Sequence, residues 1–279
     1  MSGTDLHLHT TASDGRLSPS ELVDETVRAG LTVIAVTDHD TFAAVEDVQH
    51  IARSRGLEAI VGIEVTAVEN GRDVHVLGYF LNPADEPFAR FLEAQRAARV
   101  ARAVTIIERL EALGMPIDLR QSLTDAAARS GRSIGRPQVA RAMVRAGHVA
   151  SVQDAFDKWL GLDRPAFVAR TGPSAQRVIE EIHRAGGLAS LAHPGRTAID
   201  ARIPDLAAAS LDAIEVYHSD HDATAVERYR TMARELNLLT TGGSDFHGDP
   251  ARSISPGAAT LPDEEWQRLR AARHRHALA

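Results

Sequence analysis

The stretch Asp5-Leu6-His7-Leu8-His9-Thr10 decides how the rest of the chain is interpreted. Its alternation places Asp5, His7 and His9 on one face and the two leucines on the other, which is the period-two pattern of a β-strand. Two imidazoles two positions apart on a strand point the same way and can bind one metal ion. A pair of histidines alone is a weak signal, so the interpretation depends on the other motifs of the chain.

Three further clusters of metal-ligand residue types occur far apart in the sequence: Thr37–Asp40, His193–Arg196 and Gly243–His247. Each cluster follows an apolar run that is typical of a short buried strand. In a barrel of parallel strands, the carboxyl ends of the strands meet at one rim. The sequence therefore predicts one site, built from several strand ends, on the rim of an α/β barrel.

The composition is that of a globular protein: the chain has 279 residues, of which 44% are hydrophobic and 25% are charged. The net charge of −7 argues against a large nonspecific nucleic-acid surface. The chain has no Cys, which excludes disulfides, thiol catalysis and Cys-based zinc sites. Neither a membrane span nor a signal peptide is predicted. We therefore expect a cytoplasmic protein without an obligate protein partner.

Helix signals follow the first predicted strand. Ser18-Pro19-Ser20-Glu21 has the features of a capping box at a helix start. Leu22, Val23 and Val27 are expected to face the core, and the helix is expected to stop at Gly30, because glycine readily ends a helix.

A strand, a helix and a strand are predicted next. Leu31–Val36 and Ala59–Glu64 are apolar and typical of buried parallel strands. The helix between them is predicted over Phe42–Arg55, with either Asp40 or Thr41 as its N-cap. This alternation of strands and helices favours parallel strands joined by helices.

A hairpin is predicted after the third strand. Asn70-Gly71 lies between two alternating runs and is a strong signal for a two-residue turn. The hairpin is expected to bring His75 back towards Glu64.

Residues 84–168 break the alternation of strands and helices. We interpret them as a helical insertion that packs on the barrel, covers the site and acts as a lid. The helices predicted in it are Phe88–Leu113, Ser122–Ser130, Pro137–Ala146 and Ser151–Leu160. The alternation resumes afterwards, and the strands predicted there are Leu188–His193, Ala213–Tyr217 and Leu238–Gly242. The whole chain is expected to hold about seven strands of the parallel type.

The order of these motifs resembles the PHP (polymerase and histidinol phosphatase) family of metal-dependent phosphoesterases. The segments that carry the resemblance are Asp5–Asp14, Thr37–Asp40, Gly62–Glu64, Val74–Gly78, His193–Arg196, Glu215–His221 and Gly243–His247. The resemblance implies a distorted β/α barrel of seven strands, here formed by residues 1–83 and 169–279, with 84–168 as the insertion. Within the family the chain looks most like the stand-alone bacterial branch of nucleoside 3′,5′-bisphosphate phosphatases and RNA-trimming exonucleases.

The resemblance also implies a set of metal ligands for two or three divalent ions. The nine residues are His7, His9, Asp14, His39, Glu64, His75, His193, Asp245 and His247. One ion would lie with His7, His9, Glu64 and Asp245, a second with Asp14, His39 and His247, and a third with Glu64, His75 and His193. Manganese is expected, with iron and zinc as alternatives, because imidazole and carboxylate suit all three.

Other polar residues receive simpler interpretations. Asp5 and Asp38 are expected to orient imidazoles or neighbouring loops. The remaining histidines in predicted helices and in the tail are interpreted as surface residues: His50, His148, His183, His274 and His276.

Three arginines are predicted to bind substrate, because the resemblance gives them counterparts that contact substrate phosphate. Arg196 follows His193 by three positions, and Arg136 and Arg164 lie within the insertion. A planar guanidinium recognises phosphate through paired hydrogen bonds.

Three residues are predicted to take part in catalysis. His221 matches the substrate-side histidine of the family and would bind phosphate or protonate the leaving alkoxide. His218 lies close to it in sequence, and Asp14 belongs to both the ligand set and the catalytic set.

Four functions are compatible with the motifs. The preferred one is a phosphatase that removes the 3′-phosphate of a nucleoside 3′,5′-bisphosphate, and the alternative is a 5′-to-3′ exonuclease on short RNA. Acidic net charge and an overhanging insertion favour such small or short substrates. Histidinol phosphatase activity and a non-catalytic PHP module are the further alternatives; the complete ligand set argues against the last.

Overall fold

The computed structural model describes residues 3–119, 123, 131–197 and 199–273. In this part of the chain seven strands form one sheet, in the order of the sequence. The strands are β1 Gly3–Leu8, β2 Leu31–Val36, β3 Glu58–Glu69, β4 Arg72–Tyr79, β5 Leu188–Leu191, β6 Ala213–His218 and β7 Leu239–Gly243. Each predicted strand is present, with bounds that differ by a few residues.

The sheet curls into a nearly closed barrel. Its seam is formed by a bridge between Leu8 and Phe246 and by the Asp245 N–H, which donates to the His7 carbonyl at 2.9 Å. β4 runs antiparallel to both of its neighbours, while all other strand pairs of the sheet are parallel. The predicted seven-stranded barrel is confirmed. The reversed strand is the second strand of the predicted hairpin, so six strands rather than about seven are of the parallel type.

The reversal of β4 follows from the predicted tight turn. Asn70 and Gly71 have φ values of 51° and 75°, which is the left-handed conformation that a two-residue hairpin requires. Two residues are too few to carry the chain back for a parallel pairing. The register then sets His75 opposite Thr66, two residues from Glu64.

Helices cover the outside of the barrel and build the insertion. They are α1 Pro19–Arg28, α2 Val45–Ser54, α3 Glu86–Ala112, α4 Arg136–Arg145, α5 Val152–Ala155, α6 Ala175–Arg184, α7 Pro194–Thr197, α8 Ile203–Ala208, α9 Ala223–Glu235 and α10 Asp263–Ala272. α5 continues into a π-helical turn, Phe156–Leu160. None of the helices in the described ranges is long and apolar enough to cross a membrane.

The hairpin illustrates how burial orients the site. Val65 and Val76 are fully buried in one apolar cluster with Ile182 of α6, and burying such side chains contributes about 1.5–3 kcal/mol each. Because successive residues of a strand point to opposite faces, this packing turns Glu64 and His75 into the mouth of the barrel.

α1 begins as predicted, but its buried face differs from the prediction. The Ser18 hydroxyl and the Glu21 carboxylate form the expected capping box. Leu22 and Val23 are buried, whereas Val27 is 39% exposed and Thr26 is buried in its place. Thr26 satisfies its hydroxyl by donating to the Val23 carbonyl, so a polar residue is tolerated on the inner face.

α2 begins at Val45 rather than at Phe42, and neither proposed residue caps it. Its N-cap is Ala44, which makes no side-chain hydrogen bond. Asp40 is instead fully buried, accepts the Thr66 N–H at 2.9 Å and pairs with a guanidinium of α3. The N-cap interpretation of Asp40 is therefore wrong, because its carboxylate is paired with Arg99 of α3 and does not cap the start of α2.

α3 is one continuous helix that belongs to two cores. Near its start, Phe88 and Leu92 pack with the barrel strands and α6. Further along, Ile106 and Leu110 pack with α4 and the end of the insertion. The helix therefore joins the barrel to the insertion without an intervening loop.

The rest of the insertion is helical in its described part. α4 agrees with the prediction over Pro137–Ala146, and the helix predicted over Ser151–Leu160 is divided into α5 and the π-helical turn. The helix predicted over Ser122–Ser130 lies outside the described residues, apart from the helical residue Leu123. A lid movement of the insertion stays a prediction.

Candidate metal centre

All nine predicted ligand residues lie together at the carboxyl-end rim of the barrel. They come from β1 or the loop after it (His7, His9, Asp14), the loop after β2 (His39), β3 (Glu64), β4 (His75), the end of β5 (His193) and the loop after β7 (Asp245, His247). Seven of them are buried to nine-tenths or more. The strand-end pattern thus brings together residues that are up to 240 positions apart in sequence.

Local backbone geometry lets the rim residues converge. His193 and Asp245 have φ values of 27° and 55°, so the chain turns sharply where strands β5 and β7 end. A Cβ on Gly243 would lie 2.3 Å from the His7 backbone nitrogen. Only glycine therefore allows β7 to approach β1 closely enough for Asp245 to reach the two histidines of the first strand.

The ligand atoms form four overlapping groups, within each of which they lie no more than 4.8 Å apart. The groups are His9, Asp14, His39 and His247; His7, Glu64 and His193; His7, His9 and Asp245; and His39, Glu64 and His75. Glu64 and three of the histidines belong to two groups each, so neighbouring ions would share ligands. The grouping differs in detail from the predicted one: His9 also lies with the Asp14 group, His193 lies with His7 rather than with His75, and His75 lies with His39.

Several buried polar atoms in this cluster lack a hydrogen-bond partner among the described residues, including His7 Nε2, His9 Nε2, His39 Nδ1 and Glu64 Oε2. Such atoms are costly to bury unless something satisfies them. Imidazole nitrogens and carboxylate oxygens that converge in this way fit divalent cations.

The protonation of the imidazoles also suits cation binding. Burial lowers the pKa of His39 to about 3 and that of His193 to about 4, so both rings are neutral ligands at pH 7. Burial acts in the same direction on His9, but the carboxylates of Asp245 and Glu64 outweigh it and raise that pKa to about 10. His9 thus lies where the site concentrates negative charge, and a cation can take the place of its proton.

Glu215 of β6 is a site residue to which the sequence analysis gave no role, although it begins the matching segment Glu215–His221. Its Oε1 lies 2.8 Å from His7 Nδ1, and its Oε2 accepts the His193 N–H at 2.7 Å. It therefore orients one ligand ring and the backbone of another ligand. The signal was a lone carboxylate inside the apolar strand Ala213–His218.

Asp5 and Asp38 orient loops rather than imidazole rings. Asp5 accepts the Ser244 N–H and hydroxyl at 2.9 and 2.6 Å, and so fixes the loop after β7. Asp38 accepts from Thr10 and, at 2.5 Å, from the Ser13 hydroxyl, and so fixes the loop after β1.

A cavity of about 600 Å³ opens from the ligand cluster and runs under the insertion. Its arginines among the described residues are Arg99, Arg102, Arg136, Arg141, Arg170, Arg196 and Arg252. Two of the three predicted substrate arginines, Arg136 and Arg196, are in this set. Arg164 is exposed and does not line the cavity; Arg170, six positions later, does.

Asp73 joins two of these arginines. Its Oδ2 accepts from Arg102 at 3.1 Å and from Arg136 at 2.9 Å. Although burial opposes it, the charge of the two guanidinium groups lowers the pKa of Asp73 to about 2. The carboxylate is therefore ionised and holds arginines from α3 and α4 against the hairpin that carries His75.

Arg196 contacts a ligand residue directly. Its Nη1 donates to Asp245 Oδ2 at 2.9 Å and lies 3.5 Å from Asp220. The side chain is 43% exposed, so it lies where solvent meets the ligand cluster.

The other histidines are distributed between the rim and the outside. His218 is buried with Nε2 3.6 Å from Asp245, and His221 donates from Nδ1 to the Val216 carbonyl. Neither of them lines the cavity. His183 is half-buried and lies 2.7 Å from the Asp212 carboxylate, so the surface interpretation is wrong for it.

The other two described histidines of the surface prediction lie on helix α2 and after α4. His50 is exposed, and His148 is half-buried with its Nε2 2.9 Å from the Pro116 carbonyl. His274 and His276 lie outside the described residues.

Comparisons with known proteins give the same family. The PHP domain model matches residues 5–187. A 5′-3′ exoribonuclease of Haemophilus influenzae is 34% identical over 87% of this chain and 89% of its own length. A 3′,5′-nucleoside bisphosphate phosphatase of Chromobacterium violaceum is 31% identical over 91% of both chains.

A solved structure from Bifidobacterium adolescentis, described as a proposed metal-dependent phosphoesterase, superposes with a TM-score of 0.87 at 32% identity. The superposition covers 97% of this chain and 96% of that one. The family model, the relatives and the rim of histidines and carboxylates agree. The chain therefore belongs to the PHP domain family and is a hydrolase of its metal-dependent phosphoesterase class.

Proposed function

We propose that the protein removes the 3′-phosphate of nucleoside 3′,5′-bisphosphates and releases the nucleoside 5′-monophosphate. The observation that carries this proposal is the pairing, across one cavity, of a metal-ligand cluster with a group of arginines. The cluster suits hydrolysis of one phosphate, and the arginines suit retention of another.

The ligand cluster would hold two or three divalent ions, of which manganese is our proposal. When bound, such ions neutralise phosphoryl oxygens and lower the pKa of water, which is the chemistry that phosphate hydrolysis needs. The protein supplies the nine ligands, and Glu215 keeps His7 in position for them. Arg196 lies beside the cluster and would bind the phosphoryl group that is transferred.

The arginines on the insertion side have more positive charge than their partners neutralise. Arg99 and Arg170 share the Asp40 carboxylate, and Arg102 and Arg136 share that of Asp73. Burial and the neighbouring guanidinium of Arg99 lower the pKa of Arg170 to about 10. Arg170 Nε is buried and has no hydrogen-bond partner within the described ranges, so an anionic group there would relieve both repulsion and desolvation.

The roles of single rim residues follow from their positions. We propose that His221, which lies just outside the cavity and whose Nε2 accepts the Gly195 N–H, protonates the leaving 3′-oxygen after its ring turns towards the rim and gains a proton. His218 would support this step from its position beside Asp245, and Asp14 would act as a ligand close to the attacking water.

A second candidate is 5′-to-3′ exonuclease activity on short RNA. It is favoured by the exoribonuclease of Haemophilus influenzae, which is at least as similar to this chain as the bisphosphate phosphatase is. Both activities break a phosphoester at the 3′-oxygen of a 5′-phosphorylated nucleotide. They differ only in whether the departing phosphate carries a further nucleotide.

One assay distinguishes these activities. Manganese-loaded protein is incubated with adenosine 3′,5′-bisphosphate, with 5′-phosphorylated oligoribonucleotide and with histidinol phosphate, and the products are identified by chromatography. We expect adenosine 5′-monophosphate and phosphate from the first substrate. Faster turnover of the oligoribonucleotide would favour the exonuclease, and turnover of histidinol phosphate alone would contradict both nucleotide proposals. The expected cytoplasmic location stays a prediction.

A further inference from the structure

Asp14 is the ligand residue that the barrel strands support least. It lies six residues beyond Leu8, where β1 ends, whereas every other ligand residue lies on a strand or within four residues of a strand end. Among the described residues it belongs to a single ligand group, the one that contains His9, His39 and His247. Its position therefore depends on the segment that carries it, residues 11–17, which we call the Asp14 loop.

The inner side of the Asp14 loop is bound to the barrel. The Ser13 hydroxyl donates to the Asp38 carboxylate at 2.5 Å. The Arg16 N–H donates to the carbonyl of the ligand His247 at 2.8 Å. On this side the loop supplies the donors, and its contacts reach both a strand-end carboxylate and a second ligand of the same group.

The outer side of the Asp14 loop is bound to the insertion. Arg132 Nε donates to the Thr11 carbonyl at 2.7 Å. The next residue of the insertion, Ser133, donates its N–H to the Ala12 carbonyl at 2.8 Å. On this side the loop supplies the acceptors, and both donors come from the segment that leads into α4.

α4 continues this series with two side chains. Gln138 Nε2 donates to the Ser13 carbonyl at 2.7 Å. Arg141 Nη1 donates to the carbonyl of Asp14 itself at 3.0 Å. Gln138 and Arg141 are three positions apart, so they lie on one face of the helix. Four successive carbonyls, those of residues 11–14, thus accept hydrogen bonds from the insertion.

The opposite side of α4 fixes these donors in place. Val139, Ala140 and Met143 are buried in the apolar core of the insertion, together with Ile106 and Leu110 of α3. Protein interiors are close-packed, so a helix anchored in this way does not shift independently of its core. Since α3 also belongs to the barrel core, the distance from α4 to the rim is set by the fold.

We infer that the insertion completes the metal centre, and that Gln138 and Arg141 of α4 are positioning residues that hold Asp14 at its ligand group. A ligand side chain must be held within about 0.5 Å of its productive place. Partners that orient a ligand therefore change metal affinity roughly 10–100-fold. The inference requires that the cluster bind divalent ions, but it does not depend on which phosphoester the protein cleaves.

The effect should be confined to one ion. The three other ligand groups found among the described residues contain neither Asp14 nor any other residue of the Asp14 loop. A protein that lacks the insertion should therefore still bind metal at those groups and lose affinity only at the Asp14 group.

Arg141→Met is a variant in which charge and position act in opposite directions. Arg141 lines the cavity beside the ligand cluster, so the loss of its positive charge alone would favour a nearby cation. The loss of its hydrogen bond to the Asp14 carbonyl would release the ligand and weaken the same ion. We expect weaker binding, by about tenfold in the Kd of one manganese ion, and no change for the remaining ions.

Manganese binding measures this effect without substrate or turnover. EDTA-treated protein is titrated with manganese, and the free ion is quantified by its electron paramagnetic resonance spectrum. Arg145→Met is the matched control, because it removes an exposed charge from the same helix at a residue that does not line the cavity. It should leave every Kd within about twofold of the wild-type value.

A double variant shows whether Arg141 acts through Asp14. Asp14→Ala removes the ligand itself, so adding Arg141→Met should change neither the number nor the affinity of the ions that remain. A further loss of manganese in the double variant would overturn the inference, because Arg141 would then act on the ions without Asp14.

Unchanged or tighter manganese binding in Arg141→Met would also overturn the inference, and so would an equal weakening of all bound ions, which a general loss of structure would produce. Should that variant fail to fold, Arg132→Met decides the matter. Arg132 is exposed and does not line the cavity, yet it donates to the Asp14 loop. We expect about threefold weaker binding of the same single ion, and wild-type binding would contradict the inference.

Cleavage of bisphosphates is not measured in any of these titrations. Failure of the proposed function therefore leaves their result unchanged, and a wild-type Kd in both arginine variants would overturn the positioning role even if bisphosphates are cleaved.

Discussion

Arg196 and Asp245 show how one contact links metal binding to substrate binding. The guanidinium lies 2.9 Å from a carboxylate that faces His7 and His9. A positive charge beside the ligand cluster repels a bound cation and attracts phosphate. We therefore expect Arg196 to act mainly on an anionic ligand rather than on the metal ions.

The first prediction concerns Arg196→Ala. Metal content should stay at the wild-type level, because a repulsive charge has been removed rather than a ligand. The value of kcat/KM should fall roughly ten- to a hundredfold, as expected for one charged hydrogen bond. Arg196→Lys should restore it only in part, because an ammonium lacks the paired geometry of guanidinium. Metal analysis and steady-state kinetics measure both effects; a loss of bound metal would mean that Arg196 holds Asp245 in place.

The second prediction concerns the pH dependence contributed by Asp73. Its pKa of about 2 in the folded protein is below the ordinary value of 3.8, so ionisation of Asp73 stabilises the fold. This contribution, about 2 kcal/mol, is fully present above about pH 4 and is lost as the pH falls towards 2. Asp73→Asn should therefore lower the free energy of unfolding more at pH 7 than at pH 3.

Urea unfolding of wild type and variant at the two pH values measures this difference. Asp24→Asn is the control, because Asp24 pairs with Arg55 on the surface, where ion pairs contribute little. A difference between wild type and Asp73→Asn that does not change with pH would contradict the assignment.

At the scale of elements, α3 is the part that couples the insertion to the barrel. Its first turns bury Phe88 and Leu92 in the barrel core, and Arg99 neutralises the buried Asp40. Its last turns belong to the core of the insertion. A deletion that takes the whole of α3 together with the insertion would therefore also remove side chains from the barrel core.

The third prediction compares two truncations. Replacing 104–166 by a short linker is feasible because Arg102 Nε lies 2.9 Å from the Val168 carbonyl, so the ends are adjacent. This variant should fold and bind metal. It should bind substrate more weakly, because Arg136 is deleted with the insertion. Replacing 88–165 also removes Phe88 and Leu92 from the barrel core and leaves the buried Asp40 with only the more distant Arg170, so this variant should be much less stable than the shorter truncation.

Thermal unfolding, metal analysis and KM of both truncations measure these effects. Asp40→Asn should rescue part of the stability of the longer truncation, because it removes a buried charge that has lost its closer partner, Arg99. A wild-type KM in the shorter truncation would mean that the insertion is not part of the substrate site.

The elements could be predicted where local signals dominate. The Asn70-Gly71 turn, the capping box at Ser18 and the strand-end histidines depend on a few neighbouring residues, and the structure has the turn and the cap as expected. Residues whose positions depend on tertiary contacts could not be predicted from the local sequence. Arg164 and Arg170 lie six positions apart, and Arg170 is the one that lines the cavity, where it pairs with the buried Asp40 from a distant part of the chain.

Asp40 and Val27 were misassigned for the same reason. A carboxylate before a helix favours a cap, but the distant Arg99 competes for it and is the better partner of a buried charge. Val27 has the apolarity of a core residue, yet the core over that turn of α1 is already filled by Leu22, Val23 and Thr26.

At the scale of the whole molecule, the candidate metal centre gathers side chains from nearly the entire barrel. Six of the seven strands, or the loops that follow them, supply the nine ligand residues, and β6 supplies Glu215. Ions bound there would join strands that otherwise contact only their neighbours. Metal binding and barrel stability are therefore expected to be linked.

The fourth prediction is that the purified protein holds two or three divalent ions per chain, and that EDTA both abolishes hydrolysis and lowers Tm. Glu64→Ala should lose more metal than His75→Ala, because Glu64 belongs to two ligand groups and His75 to one. His148→Ala, a change remote from the rim, should alter neither quantity. Elemental analysis and thermal unfolding test this; activity and Tm that survive chelation would contradict it.

The seam between β1 and β7 also sets an order of events during synthesis. Ser244 and Asp5, which meet across this seam, are 239 positions apart. At ribosomal rates of about 5–20 residues per second, β1 waits roughly 10–50 s for its partner. During that time His7 and His9 have no Asp245 beside them, and the edge of β1 is unpaired. The ligand groups that contain Asp245 or His247 can therefore be completed only after β7 has been synthesised, and we expect full metal loading to follow synthesis of the whole barrel.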